Sequence, residues 1–170
     1  MTALQRCLDF LEENHVCYSH TRHCLAFTAL EVAFAEHLSP RKLAKTVVYA
    51  GAQGYGFAVL PADSLIDLEA LRNFLNDPSV RLATEREIGN LFPECELGAM
   101  PPFGNLFHLP VLIDTGVAEQ EFMAFNGGTH RDVIHMSYGD FARLVNPAVA
   151  RFASRSAFVD NEELQPIANP

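Results

Sequence analysis

Lys45 stands where a short helix is expected to give way to the apolar run Thr46-Val47-Val48-Tyr49-Ala50. A lysine partly desolvated at the mouth of a sheet makes a good ligand for an anion or a carbonyl oxygen, and its pKa shifts readily. The simpler alternative is an edge-strand lysine that blocks aggregation. A second group of interest is the loop Gly98-Ala99-Met100-Pro101-Pro102-Phe103-Gly104. Proline fixes φ and has no N–H, and the residue before each proline is pushed to extended backbone. The loop is therefore stiff and extended, with carbonyls that lack ladder partners and could accept from a ligand's ammonium or amide. Gly98 and Gly104 allow a sharp turn or a close approach to a ligand. A proline-stiffened surface loop is the plainer reading. His130 follows Gly127-Gly128-Thr129 in a turn, where it would donate to a phosphate, position water, or simply be solvated.

Two further sets invite chemistry and lose by comparison. Cys17, His20, His23 and Cys24 are zinc-ligand types. They lack paired-knuckle spacing, and residues on a strand alternate faces, so no metal is expected there. Cys95 could act as a nucleophile with a histidine elsewhere, but Glu94 and Glu96 flank it and disfavour the thiolate. No GxSxG, P-loop or GxGxxG occurs, and no cofactor is expected.

The elements that must position these residues follow from periodicity and caps. Residues 3–14 read as an amphipathic helix through Leu4, Cys7, Leu8 and Leu11, and Val16 to His20 as a short strand. Thr28-Ala29-Leu30-Glu31 has capping-box form and starts a helix to about residue 37. Ser39-Pro40 opens a short helix ending near Ala44. Residues 45–50 and 55–60 are strands joined at Gly51 to Gly54, a hairpin. Asp67 caps a helix that ends at Asn76, residues 80–83 form a brief strand, and Thr84 caps a helix to about Leu91. Residues 110–114, 121–125 and 133–136 are strands, and Ser137 caps a last helix. The pattern predicts a single α+β domain, with a mixed, largely antiparallel sheet surrounded by short helices. It spans residues 1–153, followed by a mobile tail over 154–170.

Composition sets outer bounds. A chain of 170 residues that is 49 % hydrophobic has the means to bury a core. No apolar run approaches the ~20 residues that span a bilayer, and the first residues do not read as a signal peptide. Free cysteines in a reducing cytoplasm follow as the expectation. The formal charge of −9, with only two lysines, argues against a long nucleic-acid footprint. A short nucleic-acid end held by Arg41, Lys42 and Lys45 remains compatible with it.

The ordered set Ala26-Phe27-Thr28-Ala29, Lys45-Thr46-Val47-Val48, Ala58 to Ala62, Leu91 to Gly104 and Phe125 to His130 resembles the YbaK/EbsC family. These are the prolyl-tRNA synthetase-associated domains and related aminoacyl-tRNA deacylases. The likeness covers roughly residues 15–145, and its specificity comes from the collinearity of several motifs. It implies a stand-alone protein that hydrolyses the ester of a mischarged aminoacyl-tRNA carrying a small amino acid. The implied partners are the tRNA acceptor end and an aminoacyl-tRNA synthetase, without membrane or long nucleic acid. Lys45 falls on the lysine that activity depends on in the family. Gly98, Ala99, Met100, Pro101 and Pro102 fall on the loop whose main chain surrounds the aminoacyl group, and Gly127, Gly128 and His130 on the turn before the last strand. Phe27 and Thr28 match positions bordering the pocket. Thr46 resembles the cysteine-directed deacylases more than the alanine-directed ones, which tend to have Asn there. Water, the ribose 2′-hydroxyl or a substrate side chain would attack. The alternatives are a non-catalytic module that holds a tRNA end or an amino-acid-like ligand, and a hydrolase using Cys95.

Overall fold

Three β-sheets carry the architecture, and the computed structural model describes them over residues 1–155. In chain order the elements are α1 (Ala3–Glu13), β1 (Tyr18–Arg22), α2 (Ala29–Ala35), β2 (Ala44–Gly51), β3 (Gly54–Pro61), β4 (Ser64–Ile66), α3 (Leu68–Leu75), β5 (Arg81–Leu82) and α4 (Glu85–Leu91). A 3₁₀ turn (Gly104–Leu106) follows, then β6 (Val111–Asp114), α5 (Thr115–Ala118), β7 (Phe122–Asn126), β8 (Asp132–Ser137), α6 (Tyr138–Val145), β9 (Ala148–Ala150) and β10 (Ala153–Arg155). The five-stranded sheet has the order β5-β2-β3-β6-β9, beside a three-stranded β1-β8-β7 and a two-stranded β10-β4. Pairing is antiparallel except for β3 with β6 and β6 with β9, so the α+β domain has a mixed, largely antiparallel set of ladders.

Local chemistry accounts for most element ends. Thr28 and Thr84 each accept from the backbone N–H three residues on, and Glu31 and Glu87 return the bond, which completes two capping boxes. Asp67 and Ser137 cap α3 and α6 through Ala70 N–H and Asp140 N–H. The β2–β3 hairpin pairs Gly51 with Gly54 and runs back to Ala44 opposite Pro61.

Two expectations are corrected. No helix forms over Ser39 to Ala44. The Pro40 carbonyl, which a helix would pair with Ala44 N–H, instead accepts from Ala62 N–H, and Ala44 already opens β2. The first strand begins at Tyr18 and not at Val16, because Val16 N–H still serves Leu11 O at the end of α1, with His15 at φ 54. Four short elements carry too little periodicity to be read in advance: β4, α5, β9 and β10. Ser154 and Arg155, placed at the start of the expected tail, pair with Leu65 and Ser64. The rest of that tail lies outside the described residues.

One face of the five-stranded sheet (Val48, Phe57, Val59, Ile113) shares the main core with Phe103, Phe125 and Phe141. The other face carries Tyr49, Ala58 and Leu60 against Leu71 and Phe152. A third cluster seats α2 through Val32 and Ala33 against Leu43, Ala124 and Val133. The glycine–proline loop belongs to the main core: Ala99 through Gly104 are all buried. Phe103 is fully enclosed, with ring centroids 5.6 Å from Phe10, 5.4 Å from Phe125 and 5.6 Å from Phe141. Removing that ring should cost about 3–5 kcal/mol, the usual range for Phe→Ala in a packed interior. Urea unfolding of Phe103→Ala measures it, and a loss below ~1 kcal/mol would mean that the loop is not part of the core.

Candidate functional site

Lys45 pairs with Leu60, and Thr46 with Val59. Successive strand residues point to opposite faces, so the two side chains diverge. Thr46 shares its face with Ala44 and Val48, in the cluster that holds Met100 and Phe103. Its hydroxyl is buried and has no hydrogen-bond partner among the described residues. Lys45 lies between Leu43 and Val47 on the other face, where two apolar clusters meet.

The Lys45 ammonium is half-buried, 3.5 Å from the Ala62 carbonyl oxygen. It faces a recess of about 220 Å³ bordered by Thr28, Ala62, Asp63 and Ser64. Burial pushes the Lys45 pKa below the ordinary lysine value, and the negative charge of Asp63 acts in the opposite direction. Asp63 is itself buried, accepts from Ser64 Oγ at 3.1 Å and lies 3.7 Å from Arg41 Nε. Sequence reasoning missed this carboxylate, although the hairpin register brings residues 61–63 back beside 42–44. The supposed basic patch of Arg41, Lys42 and Lys45 therefore has an acid at its centre.

Phe27, Gly98, Ala99, Gly128 and His130 form a second group tied together by main chain. Gly128 N–H donates to Ala99 O at 2.8 Å, and Glu96 N–H to Gly128 O at 2.9 Å. His130 N–H donates to Glu96 Oε2 at 2.6 Å. Gly128 has φ +100, and a Cβ there would meet the Ala3 Cβ at 2.8 Å, so only glycine admits α1 this close to the turn. The His130 ring lies 5.3 Å from the Phe27 ring and next to Gly98, and is 9 % exposed. Its Nδ1 is buried with no hydrogen-bond partner among the described residues. Phe27 and Thr28 are consecutive, so this step of the chain joins the histidine group to the lysine recess.

The loop's carbonyls are only partly free. Those of Ala99 and Pro102 accept from Gly128 and Gly104, while those of Met100 and Pro101 accept no hydrogen bond among the described residues. Asn126, one step before Gly127, is a further residue not singled out by sequence. Its Oδ1 is buried and has no hydrogen-bond partner among the described residues. Leu43 and Ala124 bridge in parallel, and alternation puts Lys45 and Asn126 on that same face.

The competing sets are separated. Cys17 and Cys24 are exposed, His20 is 2.7 Å from Asp132, and no group of three metal-ligand side chains converges among the described residues. Burial and the Glu94 charge push the Cys95 thiol up to about 12, against a smaller opposing effect of Arg6. The site thus holds a partly desolvated lysine beside the Ala62 carbonyl and the Asp63 carboxylate, while burial disfavours the Cys95 thiolate.

The chain belongs to the aminoacyl-tRNA editing domain family, whose model matches residues 23–144. It is similar to two proline–tRNA ligases. One, from Fervidobacterium nodosum, is 43 % identical over 61 residues, covering 36 % of this chain and 11 % of the ligase. The other, from Pseudothermotoga lettingae, is 26 % identical over 136 residues, covering 80 % of this chain and 22 % of the ligase. The chain thus spans less than a quarter of these relatives. A crystal structure of a candidate trans-editing enzyme for prolyl-tRNA synthetase shares the fold, with a TM-score of 0.75 at 23 % identity, covering 91 % of this chain and 98 % of that one.

The thiol environment makes a direct prediction. At pH 8 iodoacetamide should modify the exposed Cys17 and Cys24 and leave Cys95 largely unreacted, because its thiolate is scarce four pH units below a pKa of about 12. Peptide mapping by mass spectrometry reads this, and rapid labelling of Cys95 would reopen a cysteine mechanism.

Proposed function

We propose that this chain is a stand-alone trans-editing hydrolase, acting in the cytoplasm on the acceptor end of a mischarged tRNA alongside an aminoacyl-tRNA synthetase. The observation that carries this reading is the half-buried Lys45 ammonium facing a recess of about 220 Å³. That volume is below the ~300 Å³ lower bound for drug-sized ligands, which favours a small aminoacyl group.

An aminoacyl ester is activated before it arrives, so positioning and charge are enough without a triad. Lys45 supplies positive charge to the ester oxygen or the terminal phosphate, at greater strength for being partly out of water. The unpaired carbonyls of Met100 and Pro101 accept from the α-ammonium, and Ala99, Pro102, Gly98, Gly127 and Gly128 hold that main chain in place. Phe27 and Thr28 border the pocket. His130, through an Nδ1 that has no partner among the described residues, supplies a polar contact to the substrate, and Thr46, on the strand face opposite Lys45, acts on the packing of the loop around Met100 and not on the group in the recess.

A panel of alanyl, cysteinyl, seryl and threonyl esters on several tRNAs should show ester loss above buffer hydrolysis for at least one. No loss across the panel would favour a non-catalytic module that holds a tRNA end. Lys45→Ala should lower the rate by about 10²–10³, the scale for removing one preorganised electrostatic contact. Lys42→Ala is the control and should change it little.

Lys45→Met should hold or raise the melting temperature while abolishing activity. A lysine with a lowered folded pKa binds its proton less tightly folded than unfolded. Its charge therefore opposes folding at neutral pH, and that opposition is relieved as pH rises through the lowered value. A lower melting temperature in Lys45→Met would contradict the assignment of burial as the main influence on this group.

A further inference from the structure

Three aspartates are buried among the described residues, and two of them have a part already. Asp63 borders the lysine recess and Asp114 caps α5. The third, Asp132, opens β8, is 6 % exposed and lies at the foot of the turn that carries His130.

That turn joins β7 to β8 through residues 127–131, and Gly127 N–H closes its base on Asp132 O at 2.8 Å. A loop that begins with two consecutive glycines does little to set its own conformation. A side-chain hub sets it here. Thr129 Oγ1 accepts from Arg131 N–H at 3.2 Å and Asp132 N–H at 3.0 Å, and donates its own proton to Asp132 Oδ2. From β1, His20 Nε2 lies 2.7 Å from the other carboxylate oxygen. Burial alone would raise the Asp132 pKa, but the hydrogen bonds from Thr129 and His20 outweigh it and hold the carboxyl below its ordinary value. An ionised carboxylate can only accept, so both bonds run toward Asp132.

We infer that Asp132 is a positioning residue: through Thr129 it fixes the 127–131 turn, and with it the His130 ring against Phe27 and Gly98. Its use to the reaction rests on the editing reading above. His130 follows Thr129 directly, so the hub lies one residue from the ring it places. The His130 carbonyl accepts from Ala26 N–H at 3.3 Å, and the Arg131 carbonyl accepts from His23 N–H at 2.9 Å. The segment that leads to Phe27 therefore takes its place from the same turn. Asp132 does not line the recess, and acts through Thr129 rather than on a ligand. Buried charge pairs add little net stability, and their best-attested use is to hold one arrangement against others.

Proton NMR of the histidine rings in the ligand-free protein tests this, because the Phe27 ring 5.3 Å away shifts the His130 signal. His130→Gln assigns that signal, and Phe27→Leu gives its value without the neighbouring ring. Thr129→Val keeps the side chain's shape and removes the hub, so the signal should move toward the Phe27→Leu value. Asp132→Ala should move it the same way, and Thr129→Ser, which restores the hydroxyl, should keep the wild-type signal. Combining Thr129→Val with Asp132→Ala should move it no further than Asp132→Ala alone, because the two act through one bond. The signals of His15 and His108, outside the turn, should hold throughout and show that each variant is folded. On the ester panel, Thr129→Val should lose about 10²-fold in rate, the effect of a misplacement of about 1 Å, and Thr129→Ser should recover it. An unmoved His130 signal in Thr129→Val and Asp132→Ala would overturn the inference, as would a moved signal with unchanged rates. A wild type inactive on the whole panel, with the predicted signals, would remove the hydrolase reading and leave the hold of Asp132 on the turn in place.

Discussion

The proposed function requires an ammonium that stays charged while held half out of water, and the surroundings of Lys45 bear on that requirement in two opposing ways. Burial drives the Lys45 pKa down, and a buried carboxylate, Asp63, opposes the change. The balance depends on where the 61–63 turn sits. Ala62 N–H fixes the turn by donating to Leu43 O at 2.9 Å and Pro40 O at 3.1 Å, and the hairpin register fixes it from the other side. α2 closes the recess because Val32 and Ala33 are anchored in the third apolar cluster while Thr28 starts the helix at the recess edge.

The glycine–proline loop meets a different demand: to present main chain without moving. Proline stiffening alone would leave it hinged at its glycines. Here Phe103 pegs one end into the aromatic core, and the 127–130 turn binds the other through three main-chain hydrogen-bond donors. The carbonyls of Met100 and Pro101 take no part in this lacing and accept no hydrogen bond among the described residues. α1, which precedes the family match, presses Ala3 and Leu4 against Gly128 and Gly127 and so buttresses the same turn.

Much of this was readable in the residues. The capping boxes at Thr28 and Thr84, the hairpin at Gly51 to Gly54 and the caps at Asp67 and Ser137 are local signals, and local signals survive into the fold. The failures were tertiary. Ser39-Pro40 has the form of a helix start, yet the Pro40 carbonyl accepts from the distant Ala62 N–H and Ala44 is drawn into β2. The loop's composition suggested a surface position, and only the packing of Phe103 against rings from α1, β7 and α6 decides otherwise. Motif order singled out Lys45, Phe27, Thr28 and His130, but gave no sign that Lys45 and Thr46 face opposite ways or that Asp63 and Asn126 matter. Those facts depend on strand alternation and on a single parallel bridge between Leu43 and Ala124.

The central claim, a charged lysine held where water is scarce, can be examined in isolation because Lys42 and Lys45 are the chain's only lysines. Selective ¹³C labelling of lysine gives an NMR titration with two side-chain signals, one for an exposed group and one for a half-buried group. Lys45 should titrate below the ordinary lysine value, and Asp63→Asn should move it lower still. Titration of Lys45 at the ordinary lysine value, with no response to Asp63→Asn, would contradict the account.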